Sequence, residues 1–211
     1  MKKISILFSG RGSNAESIVS KISHNKLNFK IKKIICNNKK SSGIELIKKY
    51  KFNVDVLDIN SYGSKDMYNV DLANLLDPKD NDLLVLCGYM NKIPDQIIKS
   101  YRGQIINIHP SILPKYKGLN THEKAIFNHD LFHGCSTHFV TSEIDCGPVI
   151  AQYLIKIEHN DDSISISNKL LPIEHKLFFK TLKMIENNKI MLIENKIFYN
   201  SKILKSPIIY T

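Results

Sequence analysis

Asn107-Ile108-His109-Pro110 closes an apolar run that reads as a β-strand. Side chains alternate along a strand, so Asn107 and His109, two apart, share one side of it. A neutral hydrogen-bond donor then stands beside a group that exchanges protons near pH 7. In an open α/β sheet ligands gather beyond the carboxyl ends of strands, which is where this pair lies. A lone histidine at a strand end is more often structural than catalytic. The pair gains meaning from Asp145-Cys146-Gly147-Pro148, a second turn that sets an acid before a glycine.

A second feature lies near the start. Ser9-Gly10-Arg11-Gly12-Ser13-Asn14-Ala15 follows a strand and opens a helix. Glycines let the backbone turn tightly and approach a ligand, and a helix start offers N–H groups that suit phosphate. The spacing also fits the loose G-x-G-x-x-G/A of dinucleotide folds. The acid that such folds place at the end of the second strand is missing, because Asn37-Asn38-Lys39 stands there, so a phosphomonoester is favoured over a dinucleotide. A tight turn that binds nothing is the inert alternative.

Other reactive residues carry less. His138, between Thr137 and Phe139, reads equally well as a satisfied core histidine. His122, His129 and His133 do not follow a zinc spacing and read as exposed surface histidines. The four cysteines, Cys36, Cys87, Cys135 and Cys146, contain no C-x-x-C pair and are expected to be free thiols, two of them ending buried strands. No metal site is expected. Cys146 neighbours Asp145 but is not needed as a nucleophile.

These residues need a frame. Strands are predicted at Ile4–Ser9, Ile31–Asn37, Val54–Leu57, Leu83–Cys87 and Gln104–Ile108, with helices near Asn14–Ser23, Gly43–Tyr50, Lys65–Leu76 and Pro94–Ser100. Ser42 with Glu45 fits a capping box at the start of the second helix. Such alternation predicts a parallel sheet with right-handed crossovers. Later, Ser136–Val140 and Val149–Ile157 read as longer strands, Ile173–Ile185 as a helix, and Ile190–Ile193 with Lys196–Tyr199 as a hairpin. The expected fold is α/β: a Rossmann-like open twisted sheet, parallel with helices on both faces in the N-terminal half, antiparallel in the C-terminal half. The whole chain, 1–211, reads as one domain, with a phosphate-binding half over 1–100 and a catalytic half over 101–211.

Composition sets outer limits. Of 211 residues 43% are hydrophobic, enough for a real core. No apolar run approaches the ~18 residues that span a bilayer. The short apolar stretch after Lys3 is interrupted by Gly10-Arg11-Gly12 and is no signal peptide; no membrane partner and a cytoplasmic location are expected. The formal charge of +10 comes from lysines spread along the chain without an arginine cluster. Nucleic acid is therefore not the expected partner, whereas steering of anionic small molecules is. Monomer and homodimer both remain open.

The motifs converge on one family. Gly10-Arg11-Gly12-Ser13-Asn14, the run Asn107 to Gly118, His133-Gly134, His138-Phe139-Val140, Asp145-Cys146-Gly147-Pro148-Val149-Ile150 and Glu174-His175 resemble the phosphoribosylglycinamide formyltransferases, folate-dependent enzymes of purine synthesis. The resemblance implies formyl transfer from 10-formyltetrahydrofolate, as cosubstrate, to the amine of phosphoribosylglycinamide, with no metal. It implies Asn107, His109 and Asp145 as catalytic residues. Gly12, Ser13 and Asn14 would hold the substrate phosphate, and Pro110 and Glu174 would contact the substrate. Lys65, Met90, Asn91, Lys92, Ile93, Asn107 and the loop Thr141, Ser142, Glu143, Ile144 and Asp145 would contact folate. Lys65 and Asn91 stand where relatives often carry arginine, and Pro172 falls where relatives continue a helix. In the implied mechanism Asp145 raises the pKa of His109 and orients it. The rivals are formyl transfer to another amine, formyltetrahydrofolate hydrolysis and, from another class, a non-catalytic RNA-binding module.

Overall fold

In the computed structural model, which describes residues 1–211, the apolar run after Met1 becomes strand β1 (Lys2–Phe8). Helix α1 (Ser13–Ser23), β2 (Phe29–Cys36), α2 (Gly43–Lys48), the two-residue β3 (Asp55–Val56), α3 (Lys65–Leu75), β4 (Leu83–Leu86), α4 (Asp95–Ser100) and β5 (Ile105–His109) follow. The chain divides into two compact units, Met1–Asn107 and Ile108–Thr211, with the boundary inside β5.

In the first unit the strands run parallel in the order β3-β2-β1-β4-β5. The order reverses between β1 and β4, which is where such sheets open a crevice. All four residues of β4 are buried, as expected of a central parallel strand covered on both faces. Ile4, Ile6, Leu7, Phe8, Ile34, Ile35, Leu84, Val85, Ile105 and Ile106 form the core, each fully buried side chain contributing about 1.5–3 kcal/mol.

Packing explains one glycine of the first loop. A Cβ on Gly12 would lie 2.6 Å from the Cα of Gly43 and 3.3 Å from the Phe8 ring, and Gly12 has φ 72°. Gly10 would meet nothing within 4 Å. The capping box expected of Ser42 and Glu45 does not form. Ser42 is already helical (φ −66°) and makes no side-chain cap. Ser41 Oγ accepts from the Gly43 N–H at 3.2 Å instead and donates to the Gly10 carbonyl, while Glu45 pairs with Lys48.

In the second unit α5 (Thr121–Phe127) precedes β6 (Phe132–Phe139), which pairs antiparallel with β7 (Val149–Lys156). Helix α6 (Ser163–Glu186) covers them. A hairpin of β8 (Ile190–Ile193) and β9 (Lys196–Tyr199), extended by β10 (Lys202–Ile203), follows. The last strand, β11 (Ile208–Tyr210), adds parallel to β7.

Helix α6 is longer than its sequence suggests. It starts ten residues before the predicted Ile173, at a reciprocal cap in which Asp162 Oδ1 accepts from the Ser165 N–H (2.7 Å) and Ser165 Oγ accepts from the Asp162 N–H (3.0 Å). The helix continues without a break through Pro172. A proline removes one intrahelical donor and leaves the carbonyl four residues back, here Asn168, without it. Pro172 and Asn168 are both exposed, so water can serve that carbonyl. The opposite face carries Ile166, Leu170, Leu177, Phe178, Leu182 and Ile185 into the core, and Thr181 Oγ1 meets Thr137 Oγ1 of β6 at 2.8 Å.

Candidate active site

His109 ends β5, and the chain beyond it is pinned from below. Ser136 of β6 donates through Oγ to the Ser111 carbonyl at 2.6 Å and accepts from the Leu113 N–H at 3.0 Å. Gln152 of β7 donates to the Leu113 carbonyl at 2.8 Å and to Ser136 Oγ at 2.9 Å. Ser111, Leu113, Ser136 and Gln152 are all buried, so these bonds hold the loop firmly. The loop then folds back until the Tyr116 carbonyl lies 2.8 Å from His109 Nε2.

Asp145 arrives from the turn between β6 and β7. Gly147 makes the approach feasible: a Cβ there would sit 1.9 Å from the Phe139 carbonyl oxygen. Asp145 adopts φ 51°, a left-handed conformation that aspartate tolerates better than most residues. Its Oδ2 lies 3.3 Å from His109 Nδ1 and accepts from the Gly118 N–H at 2.9 Å. Its Oδ1 lies 3.5 Å from His138 Nε2. The carboxylate is thus bracketed by two imidazoles, with side-chain exposures of 7% for His109, 10% for Asp145 and 2% for His138.

Burial is the strongest influence on His109 and pushes its pKa down; the Tyr116 carbonyl and the Asp145 charge push it up without offsetting that. Asp145 does push the His109 pKa up, as expected of its charge, but desolvation outweighs it and the net direction is down. Burial also pushes Asp145 up, but His138, His109 and the Gly118 N–H together outweigh it and leave the carboxyl below its ordinary value. The site holds a neutral imidazole against an ionised carboxylate near pH 7. His109 faces an acceptor through each ring nitrogen, as does His138, whose Nδ1 lies 2.9 Å from the Phe139 carbonyl. A proton added to His109 finds its acceptor already in place.

His138 is the residue that sequence reasoning missed. Strand β6 is buried at every position after Phe132, so no alternation marks which side chains face the site. The histidines read as surface residues are also corrected, apart from the exposed His129. His133 is 1% exposed and donates to the Pro110 carbonyl, and its Nε2 meets His122 Nδ1 at 3.0 Å. Burial, then the neighbouring His122, pushes the His133 pKa down to about 4.

The remaining expected residues fall as follows. Asn107 precedes His109 by two on β5 and is half-buried. Gly12 is the N-cap of α1 and makes no side-chain cap, and Ser13 and Asn14 follow it into the helix. Met90 and Asn91 follow β4 and line a cavity of about 310 Å³ with Ser9 and Gly10, where Ser9 Oγ accepts from the Met90 N–H at 2.8 Å. Lys65 is exposed at the start of α3, Lys92 is exposed beside Asp95, and Ile93 is buried. In the second unit Thr141 to Ile144 form an open turn, with Thr141 Oγ1 donating to the Glu143 carbonyl. Pro110 is half-buried. Glu174, half-buried on α6, is near enough to Cys135 of β6 for its charge to help burial push that thiol's pKa up.

Comparison with known proteins gives a consistent picture. A family model described as formyl transferase matches residues 2–182. The phosphoribosylglycinamide formyltransferase of Escherichia coli is 34% identical over 175 residues, covering 83% of this chain and 82% of that protein. The Bacillus subtilis enzyme of the same name is 30% identical, covering 88% and 95%. The solved structure of the Coxiella burnetii phosphoribosylglycinamide formyltransferase superposes with a TM-score of 0.92 at 30% identity, covering 100% and 99%.

Proposed function

The chain belongs to the formyl transferase family, and from that premise we propose that it moves the formyl group of 10-formyltetrahydrofolate onto the amine of 5-phosphoribosylglycinamide in purine synthesis. The observation that carries the chemistry is the buried Asp145 carboxylate 3.3 Å from a neutral His109.

The substrate amine attacks the formyl carbon, a C–N bond forms, and negative charge gathers on the formyl oxygen. The Asn107 amide donates to that oxygen as the charge grows. The attacking nitrogen becomes positive and must lose a proton. His109, neutral because it is buried, takes it and passes it to the folate nitrogen as that C–N bond breaks. While His109 carries the proton, Asp145 supplies the opposite charge through Nδ1, and His138 holds the carboxylate from its other side. Gly12, Ser13 and Asn14 receive the phosphate at the start of α1. Pro110 and Glu174 contact the substrate. Lys65, Met90 to Ile93 and the Thr141–Asp145 turn, with Asn107, receive the folate.

The test is an absorbance assay of formyl loss from 10-formyl-5,8-dideazafolate. Turnover should require phosphoribosylglycinamide and fail with other amines. His109→Ala should lower kcat by ~10²–10⁴ with little change in KM. Wild-type turnover by that variant would overturn the role of His109, and formyl loss independent of the amine would overturn the transfer reading.

A further inference from the structure

Two cavities share a wall in the first unit. One, of about 310 Å³, lies beyond the carboxyl ends of three neighbouring strands, because Ser9 and Gly10 follow β1, Asn37 and Asn38 follow β2, and Met90 and Asn91 follow β4. The other, of about 360 Å³, runs on past Asn38 and Asn60, which line both, to Lys39, Lys40 and Asp58. Together they form one trough at the crevice where the strand order reverses. Each reaches the ~300 Å³ at which ligand pockets begin. The walls are mainly amides: apart from Ile59 and Met90, no apolar side chain lines them.

Asn37 points to what the trough takes. It is 3% exposed, its amide is held against the Tyr68 and Tyr89 hydroxyls, themselves 2.6 Å apart, and its Oδ1 accepts no hydrogen bond. Buried acceptors are rarely left unpaired, so this one, at a cavity wall, calls for a ligand that brings a donor. Asn38 Oδ1 is taken by the Lys40 N–H at 2.9 Å, which leaves its Nδ2 to donate. At the far end Lys39 Nζ is engaged by Asp58 at 3.3 Å, so the exposed Lys40 is the cation left for an anion. The trough thus asks for an N–H at Asn37, a carbonyl at Asn38 and a carboxylate at Lys40. A flat pteridine ring wants apolar walls instead. A chain of γ-linked glutamates meets all three requests, since every linkage carries an N–H and a C=O and every residue a carboxylate.

We propose that the trough from Asn37 to Lys40 is a subsite for the γ-linked glutamate tail of a polyglutamyl cosubstrate, entered past Met90 and Asn91. The assignment rests on the folate reading above, in which Met90 and Asn91 receive the folate. Asn37 Oδ1 accepts from a peptide N–H of the tail, Asn38 Nδ2 donates to a carbonyl, and the Lys40 ammonium pairs with a carboxylate. The subsite therefore distinguishes long tails from short ones by binding and takes no part in the transfer itself.

The full chain is titrated calorimetrically, without amine substrate, with 10-formyl-5,8-dideazafolate carrying one γ-linked glutamate or three. The triglutamate should bind about tenfold more tightly, the scale of one charge-assisted hydrogen bond. Lys40→Ala should lose most of that gain and bind the monoglutamate as the unmutated protein does. Lys202→Ala removes the same charge from the exposed β10 of the second unit and should keep the gain. Because Asn37 also serves the two tyrosines, its part is read in the unmutated protein by NMR: its side-chain amide resonances should move with the triglutamate and stay with the monoglutamate. Equal affinity for the two compounds would overturn the subsite alone. A gain that Lys40→Ala keeps, or Asn37 resonances that the triglutamate leaves in place, would trace the preference to the overall positive charge and overturn it too. Binding of neither compound would overturn the folate reading, and the subsite with it.

Discussion

His109 is pulled in two directions, and the outcome has a kinetic signature. Burial favours its neutral form, while the Tyr116 carbonyl and Asp145 favour the charged one, and burial prevails. A base must be unprotonated to act, so kcat/KM should rise with pH through a midpoint below the ordinary histidine value of ~6.5 and then level off. Asp145→Asn sharpens the test. Removing the carboxylate charge removes an influence that raises the histidine pKa, so the midpoint should move further toward acid while the plateau falls. A merely structural Asp145 would lower the plateau and leave the midpoint in place. The pH–rate profiles of the two proteins, measured side by side, separate these cases.

At the scale of elements, Pro172 poses a quantitative question. A proline inside a helix is about 3 kcal/mol worse than alanine, but it also restricts the unfolded chain, which returns roughly 0.4–1 kcal/mol. Pro172→Ala should therefore stabilise the protein by about 2 kcal/mol, read as an upward shift of the urea midpoint with an unchanged slope. An unchanged midpoint would mean that α6 already relaxes around Pro172 at no cost. The same residue shows why some of the fold was legible and some was not. The short apolar runs of the strands, and the hairpin at Glu194-Asn195, emerged almost at their observed bounds because local composition and turn residues decide them. The start of α6 did not, because the apolar spacing was followed only over Ile173–Ile185; yet Asp162 and Ser165, three apart, followed by Ile166 and Leu170, carry the signature of a helix start. Helix α5 and strand β11 were not read at all: the first is seven residues long and the second three. In the site, Asn107, His109 and Asp145 stood out by motif. His138 and the His122–His133 contact depend on which strand neighbours which turn, and that is a tertiary fact.

For the molecule as a whole, the formal charge of +10 must do something even if no residue of it is singled out. Many lysines are paired with acids, as Lys3 and Lys32 are with Asp80 and Lys169 with Asp161, and exposed pairs of this kind contribute little to stability. What remains is a positive field that reaches beyond the surface by a Debye length, about 30 Å at 0.01 M salt and about 8 Å at 0.15 M. Both proposed substrates are anions, so the field raises their concentration near the protein before any contact forms. Raising potassium chloride across that range should lower kcat/KM for phosphoribosylglycinamide several-fold, with the change appearing in KM. The proposed chemical step lies among buried groups that the salt does not reach, the His109, Asp145 and His138 side chains being at most 10% exposed, so kcat should hold constant. Steady-state kinetics at fixed pH, with kcat and KM resolved at each salt concentration, separate the two. A salt-induced fall in kcat at constant KM would place the charge effect within the reacting groups and not in the approach to them.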